Sequence, residues 1–233
     1  MMKSEKFAVF DVDDTLLGFK SLFDFARFYC RQVRPDIEFE LWHGELQALA
    51  QKKGRSAANQ AFYRLFEGCS VEVMNDLIRR WSDAYISQGL PVVSSSYQAL
   101  LEHQSRAERV LFLSGSARIF LQPIADALGV TDLICTDLQV DQGRLTGATL
   151  GPAVIGEGKC TQLQRFIQDN ELMAMLGTGY GDHASDAFFM QALGKGVVVG
   201  NDPLLMSLAE QCHWQIFPAL PHTLISEFSR RVS

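Results

Sequence analysis

Apolar and polar positions fall into two patterns along the chain. Residues 7–10, Phe7-Ala8-Val9-Phe10, form an uninterrupted apolar run, the pattern of a strand buried on both faces of a sheet. After Leu17 the period changes. Phe19, Leu22, Phe23, Phe25, Ala26, Phe28 and Tyr29 recur at helical spacing and build a broad apolar face that ends before Pro35. Helical patterns follow over 41–53, 57–66 and 71–85, separated by Gly54, Gly68 and Gly89, with no strand pattern among them. Residues 18–89 therefore read as an all-helical insertion, a size compatible with a small module docked on its host.

From Pro91 onward the two periods alternate. A helix over 94–105 leads to a strand at 110–113, a helix at 117–128 stopped by Gly129, and a strand at 133–135. Residues 137–149, with Asp141-Gln142-Gly143 between apolar positions, predict a β-hairpin or flap. Then come a helix at 159–168, a strand at 172–176, a helix at 186–193, a strand at 197–199 and a helix opened by Pro203 and running to 211. Strands and helices alternating at these lengths imply an α/β fold, a parallel sheet with helices on both faces.

Composition narrows the partners. The 233 residues suffice for one large domain, or for a core with a smaller inserted one. The hydrophobic fraction of 47% and charged fraction of 21% are those of a globular protein. A net charge of −6 without a basic cluster argues against nucleic acid. No apolar stretch approaches the roughly 18 residues of a membrane span, and the first ten residues do not read as a secretory signal, so a cytoplasmic location is expected. Cys30, Cys69, Cys135, Cys160 and Cys212 are odd in number, scattered and never in CxxC spacing; they read as reduced thiols and not as a zinc site.

The chemistry lies where predicted strands end. Asp11, Asp13 and Asp14, then Thr15, follow the first strand, and three carboxylates beside a buried strand are costly unless a cation or a reaction uses their charge. Asp11 and Asp13, two apart in an extended segment, face the same way; the plainer reading is an acidic turn with Asp14 or Thr15 capping a helix. Ser114-Gly115-Ser116 after the strand at 110–113 can cradle a phosphate or simply cap a helix. Lys159, after Gly156-Glu157-Gly158, opposes a helix dipole and can pair with clustered carboxylates or phosphate. The P-loop pattern fails there, because Ala153 and Cys160 occupy positions that need glycine and a hydroxyl. In GTGYGDHASDAFF, Asp182 and Asp186 are four apart and can both face a cation at the strand ends, while Gly177, Gly179 and Gly181 do not make a dinucleotide fingerprint. His183 reads as a tolerated neighbour, since Mg²⁺ prefers oxygen, and His43, His103, His213 and His222 as structural or exposed.

The pentapeptide Asp11-Val12-Asp13-Asp14-Thr15 resembles the DxDx(T/V) signature of the haloacid dehalogenase superfamily, in its phosphatase branch. Ser114, Lys159 and the GDxxxD stretch from Gly181 to Asp186 match that family's later motifs in order, over residues 7–17 and 90–217. The resemblance implies a Rossmann-like doubly wound core of residues 1–17 and 90–233 with a helical cap over 18–89. It also implies hydrolysis of a small phosphorylated metabolite through an aspartyl-phosphate, with Asp11 as nucleophile and Asp13 as general acid and base. Mg²⁺ would be held by Asp11, the Asp13 carbonyl and Asp182, with Asp186 supporting its water shell, and Ser114, the Gly115 amide and Lys159 would hold the phosphoryl oxygens.

Where phosphoserine phosphatases carry a Glu after the first motif this chain has Lys20, and where they carry a cap Arg it has Phe62, with Arg64 nearby. These three positions are the expected specificity residues, and they argue against phosphoserine. The cap also resembles that of phosphoserine-phosphatase-like hydrolases assigned to histidinol phosphate or left unassigned, and the sequence does not choose among them. Phe19, Phe23, Phe62, Tyr63 and Phe66, at helical spacing, read as core first and as contacts to a large leaving group second. A phosphotransferase of the same fold, or a non-catalytic phosphate-ligand binding protein, are the competing expectations.

Overall fold

The computed structural model describes residues 4–224. Strand β1 (Phe7–Phe10) is followed by helices α1 (Ser21–Val33), α2 (Phe39–Lys53) and α3 (Arg55–Phe62), a 3₁₀ turn at Tyr63–Phe66, and α4 (Val71–Gln88). The chain continues through β2 (Leu90–Val93), α5 (Ser94–Ser105), β3 (Arg109–Ala117), α6 (Arg118–Leu128), β4 (Asp132–Asp141) and β5 (Arg144–Leu150). It closes with α7 (Glu157–Asp169), β6 (Gly177–Gly181), α8 (Ala187–Met190), β7 (Lys195–Val199), α9 (Pro203–Cys212), β8 (Gln215–Phe217) and β9 (Pro221–Leu224).

Seven strands form one sheet in the order β5, β4, β3, β1, β6, β7, β8, parallel except for the β4–β5 hairpin. Central β1 shows why its sequence is apolar throughout. Ala8 and Phe10 join a buried cluster with Phe25, Phe112 and Phe120, whereas Phe7 and Val9 join another with Leu163, Phe189 and Leu205. Both faces are covered, as in a doubly wound α/β sheet.

Three elements differ from the pattern expected along the chain. Residues 174–176 form a 3₁₀ turn, and the strand expected at 172–176 lies instead in the glycine-rich β6, between β1 and β7. Its glycines answer to close packing: a Cβ at Gly177 would stand 2.6 Å from the Phe7 ring, and one at Gly181 2.6 Å from Asp186. The helix expected over 186–193 is shorter, a 3₁₀ turn at Ala184–Asp186 joined to α8. β2 pairs antiparallel with β9 in a separate two-stranded sheet, a pairing between residues too distant in sequence to be legible in either run.

The helical segment leaves and rejoins the sheet side by side: Gly18 N–H donates to the Pro91 carbonyl (3.0 Å) and Val93 N–H to that of Leu16 (2.9 Å). The hairpin clasps the segment through Gly68 N–H to Leu145 O, Leu145 N–H to Cys69 O and Val71 N–H to Gly143 O. This arrangement supports a proposed division into an inserted helical domain of residues 18–89 and a core of 1–17 and 90–233. Residues 1–3 and 225–233 of that core lie outside the described residues. No described helix is long and apolar enough to cross a membrane.

Candidate active site

The ends of β1, β3 and β6 and the start of α7 meet at the carboxyl edge of the sheet, where open parallel sheets bind ligands. Asp11 follows β1 directly, and its N–H donates to the Tyr180 carbonyl at 2.9 Å. Lys159, buried in the first turn of α7, donates to Asp11 Oδ1 at 2.6 Å and to Asp186 Oδ1 at 2.7 Å. The Thr15 hydroxyl lies 3.1 Å from Asp11 Oδ2 and 2.9 Å from Asp182 Oδ1. Burial works against the Asp11 carboxylate, but the charge and hydrogen bond of Lys159 outweigh it and hold this carboxyl below its ordinary range. Burial also disfavours the Lys159 ammonium, and the two aspartates reverse that too, raising its pKa.

Asp13 has different partners. Its Oδ2 accepts from the Ser116 hydroxyl at 2.5 Å and its Oδ1 from the Ser21 N–H, at the start of α1, at 2.8 Å. No described cation pairs with it. Burial therefore dominates, and the Asp13 carboxyl is raised despite these two bonds. Ser114 and Ser116 are buried in a β3 segment whose register shifts between Leu113 and Ala117, so the strand continues through Ser114-Gly115-Ser116 as an irregularity that redirects its side chains.

Oxygen atoms of Asp11, Asp182 and Asp186 lie within 4.8 Å of one another. Burial and the neighbouring charges of Asp11 and Asp186 push the Asp182 carboxyl up to about 8, and burial raises that of Asp186 against the pull of Lys159. Three clustered acids with one lysine leave an excess of negative charge in an all-oxygen donor set, which fits a hard divalent cation.

Above the cluster stands a cavity of about 330 Å³ whose lining includes Asp11, Asp13, Ser114, Lys159, Asp182 and Asp186. Leu22, Phe23, Leu46, Ala50 and Phe62 from α1, α2 and α3 supply its apolar wall, together with Ile155. α3 bridges the two sides. Arg55 donates to His183 Nδ1 at 2.7 Å and Ser185 Oγ at 3.0 Å, while Asn59 (2.9 Å) and Tyr63 (2.8 Å) donate to the Gly115 carbonyl, which also accepts from Thr136 at 2.9 Å.

The haloacid dehalogenase-like hydrolase family matches residues 8–191. The chain belongs to that family. It is 23% identical to a histidinol-phosphatase of Neisseria meningitidis serogroup C over 90% of this chain and 96% of that protein. Its fold is shared with a protein of unknown function from Bordetella pertussis Tohama I, with a TM-score of 0.82, 20% identity, and coverage of 94% of this chain and all of the other. A phosphoserine phosphatase solved as a phospho-aspartyl intermediate analogue superposes with a TM-score of 0.65 and 18% identity, covering 99% of this chain and 100% of that one. The chain is a phosphatase of this superfamily, of the phosphoserine-phosphatase-like type.

In this haloacid dehalogenase-like chain the motif residues Asp11, Asp13, Ser114, Gly115, Lys159, Asp182 and Asp186 all line one cavity. The three positions expected to set specificity separate. Lys20 lines the cavity with its ammonium 2.8 Å from Asp14 Oδ2, and Phe62 lines it from a buried position. Arg64 does not line it; it faces a different depression beside Gly147 and Thr146 of the hairpin, because the 3₁₀ turn after Phe62 rotates it away. Phe23 shares the cavity wall, whereas Tyr63 and Phe66 are core side chains.

Among the polar lining residues, Gln47, Arg55, Asn59 and Ser185 were not singled out in the sequence, and His43 was read there as structural or exposed. His43 stacks on Phe39 and lies tilted against Phe23, which hides it in an aromatic pattern. His183 is no bystander either. It closes a reciprocal cap with Ser185 and Asp186, and burial with the nearby Arg55 charge lowers its pKa and keeps it a neutral acceptor.

Proposed function

We propose that the chain is a Mg²⁺-dependent phosphate monoester hydrolase working through an aspartyl-phosphate on a small phosphorylated metabolite other than phosphoserine. The observation that carries this is the contrast between two carboxyls two residues apart, Asp11 paired with a buried cation and Asp13 held only by neutral donors. Such a pair is pushed apart in acidity by its surroundings, which suits one for attack and the other for proton transfer.

An Asp11 oxygen attacks phosphorus as the ester P–O bond breaks, and the proton on Asp13 passes to the departing alkoxide. Asp13 then takes a proton from water, whose oxygen attacks the same phosphorus; the Asp11–phosphorus bond breaks and the carboxylate is restored. Ser114, the Gly115 N–H and Lys159 hold the phosphoryl oxygens, whose charge must be met in the transition state. Asp11, the Asp13 carbonyl and Asp182 would hold a Mg²⁺ ion, with Asp186 supporting its water shell, and the ion would supply charge neutralisation for phosphate and carboxylates.

Phosphate release from a panel of monoesters with Mg²⁺ tests this. Asp11→Asn is expected to lower turnover by about 10³-fold or more, and Asp182→Asn or EDTA to abolish hydrolysis of an aryl phosphate. Undiminished turnover in EDTA would overturn the metal assignment.

A further inference from the structure

The segment Ser114-Gly115-Ser116 turns on one peptide unit, that between Gly115 and Ser116. A Cβ at Gly115 would stand 2.9 Å from Ile155 Cγ1 and 3.3 Å from the Val154 carbonyl oxygen, so the close approach of that loop calls for glycine. Glycine carries little restraint of its own, and this peptide would turn freely unless its surroundings held it. Its orientation matters twice over. The Ser116 N–H donates to Ser114 Oγ at 3.1 Å, which leaves the Ser114 hydroxyl hydrogen for a phosphoryl oxygen. The Ser116 hydroxyl donates to Asp13 Oδ2 at 2.5 Å, so the same unit also places a partner of the proposed general acid.

Two of the groups that hold this peptide come from the helical insertion. The Gly115 carbonyl accepts from Asn59 Nδ2 at 2.9 Å and from the Tyr63 hydroxyl at 2.8 Å, and Thr136 of β4 supplies a third donor at 2.9 Å. Asn59 and Tyr63 are both buried, so water competes poorly for these bonds. Burial also raises the Tyr63 pKa, which keeps its hydroxyl a donor. Tyr63 does not line the cavity, so any effect it has on a bound phosphate passes through Gly115.

We infer that Asn59 and Tyr63 are positioning residues of the phosphate cradle. By fixing the Gly115 carbonyl they aim the Ser114 hydroxyl at the phosphoryl group and keep Ser116 on Asp13. The insertion thereby governs the chemical step as well as the choice of leaving group. This rests on the phosphatase reading above and adds to it two residues that touch neither phosphorus nor metal.

The double variant Asn59→Leu/Tyr63→Phe tests it, with p-nitrophenyl phosphate turnover in Mg²⁺ and the affinity for inorganic phosphate, measured by competition and by calorimetry, as readouts. Asn59 Oδ1 has no partner among the described residues, so leucine removes an orphaned buried acceptor along with the lost bond, and Tyr63→Phe keeps the ring; the fold is expected to hold. The double variant should lose about tenfold or more in kcat and bind inorganic phosphate about tenfold more weakly, whereas either single change leaves two donors for two lone pairs and should stay within about threefold of wild type. Arg144→Gln removes the bond from the hairpin to the Gly68 carbonyl, loosening the insertion elsewhere, and should leave both readouts unchanged. Inorganic phosphate has no leaving group, so its affinity moves only if the cradle does. Unaltered phosphate affinity in the double variant, or an equal loss in Arg144→Gln, overturns the inference alone. A wild-type protein that neither hydrolyses p-nitrophenyl phosphate nor binds inorganic phosphate overturns the phosphatase reading and the positioning role with it.

Discussion

The Gly115 carbonyl accepts from Asn59, Tyr63 and Thr136, three donors for two lone pairs. Losing one donor still leaves it paired. Tyr63→Phe is therefore expected to cost no more than about 1 kcal/mol in urea unfolding, while removing Asn59, Tyr63 and Thr136 donors together costs clearly more than the three single losses summed. Strict additivity would contradict the shared-acceptor account. Lys159 is the opposite case, since nothing duplicates it. Lys159→Met leaves Asp11 and Asp186 buried without their cation and is expected to destabilise by about 3–5 kcal/mol and to abolish phosphate release; a wild-type unfolding midpoint would refute this. The cysteines separate by environment as well. Burial raises the thiols of Cys30, Cys69, Cys135 and Cys160, Cys135 to about 12, and only Cys212 is exposed. Ellman's reagent at pH 8 should find one fast thiol, lost in Cys212→Ser.

Among the elements, α3 has the most consequential placement. Arg55 meets the Asp182–Asp186 loop, while Asn59, one helical turn on, and Tyr63, just past the end of α3, meet the Ser114–Ser116 segment. One short helix thus fastens the helical insertion to two motif loops, while the β4–β5 hairpin fastens its other end near Gly68. Strand β6 shows the reverse economy, with glycines where a sheet normally wants branched side chains. Gly177→Ala would place a methyl 2.6 Å from the Phe7 ring and 2.7 Å from Leu193. It is expected to destabilise by about 1–3 kcal/mol, measured by thermal or urea unfolding, and a neutral result would mean that β1 shifts freely.

For the molecule as a whole, the helical insertion and the sheet share a core: Phe25 of α1 lies 4.5 Å from Phe120 of α6, centroid to centroid, and Phe66 lies 5.7 Å from it. Burial is the largest cause that raises Tyr29, Tyr63, Tyr85 and Tyr180, the last to about 12, as it does Cys135. Unfolded, these groups ionise near their ordinary values of 10.0 and 9.0, whereas folded they stay neutral. The unfolded state binds fewer protons in that window, so their contribution is complete below about pH 9 and is lost as pH rises towards 12. The unfolding midpoint should fall steadily from pH 9 to 11, and a flat profile would contradict it. Much of this protein was legible in its residues, because each motif is local. A buried apolar strand followed by DVDDT, a strand followed by Ser-Gly, and a GDxxxD segment specify charge and backbone within a few positions. The period of the apolar residues likewise set the all-helical character of residues 21–88 and the α/β alternation after them. What needed the tertiary structure is whatever depends on contacts between distant residues. Glycine-rich β6 is a strand only because Phe7 and Leu193 close over it. Arg55 lines the site and Arg64 does not, because Arg55 opens α3 beside His183 and Ser185 whereas Arg64 lies in the 3₁₀ turn beside the hairpin. Spacing along the chain could bring Asp182 and Asp186 onto one turn, but only the packed insertion brought Arg55 and Asn59 against the loops that carry the motifs, because those contacts join residues more than fifty positions apart.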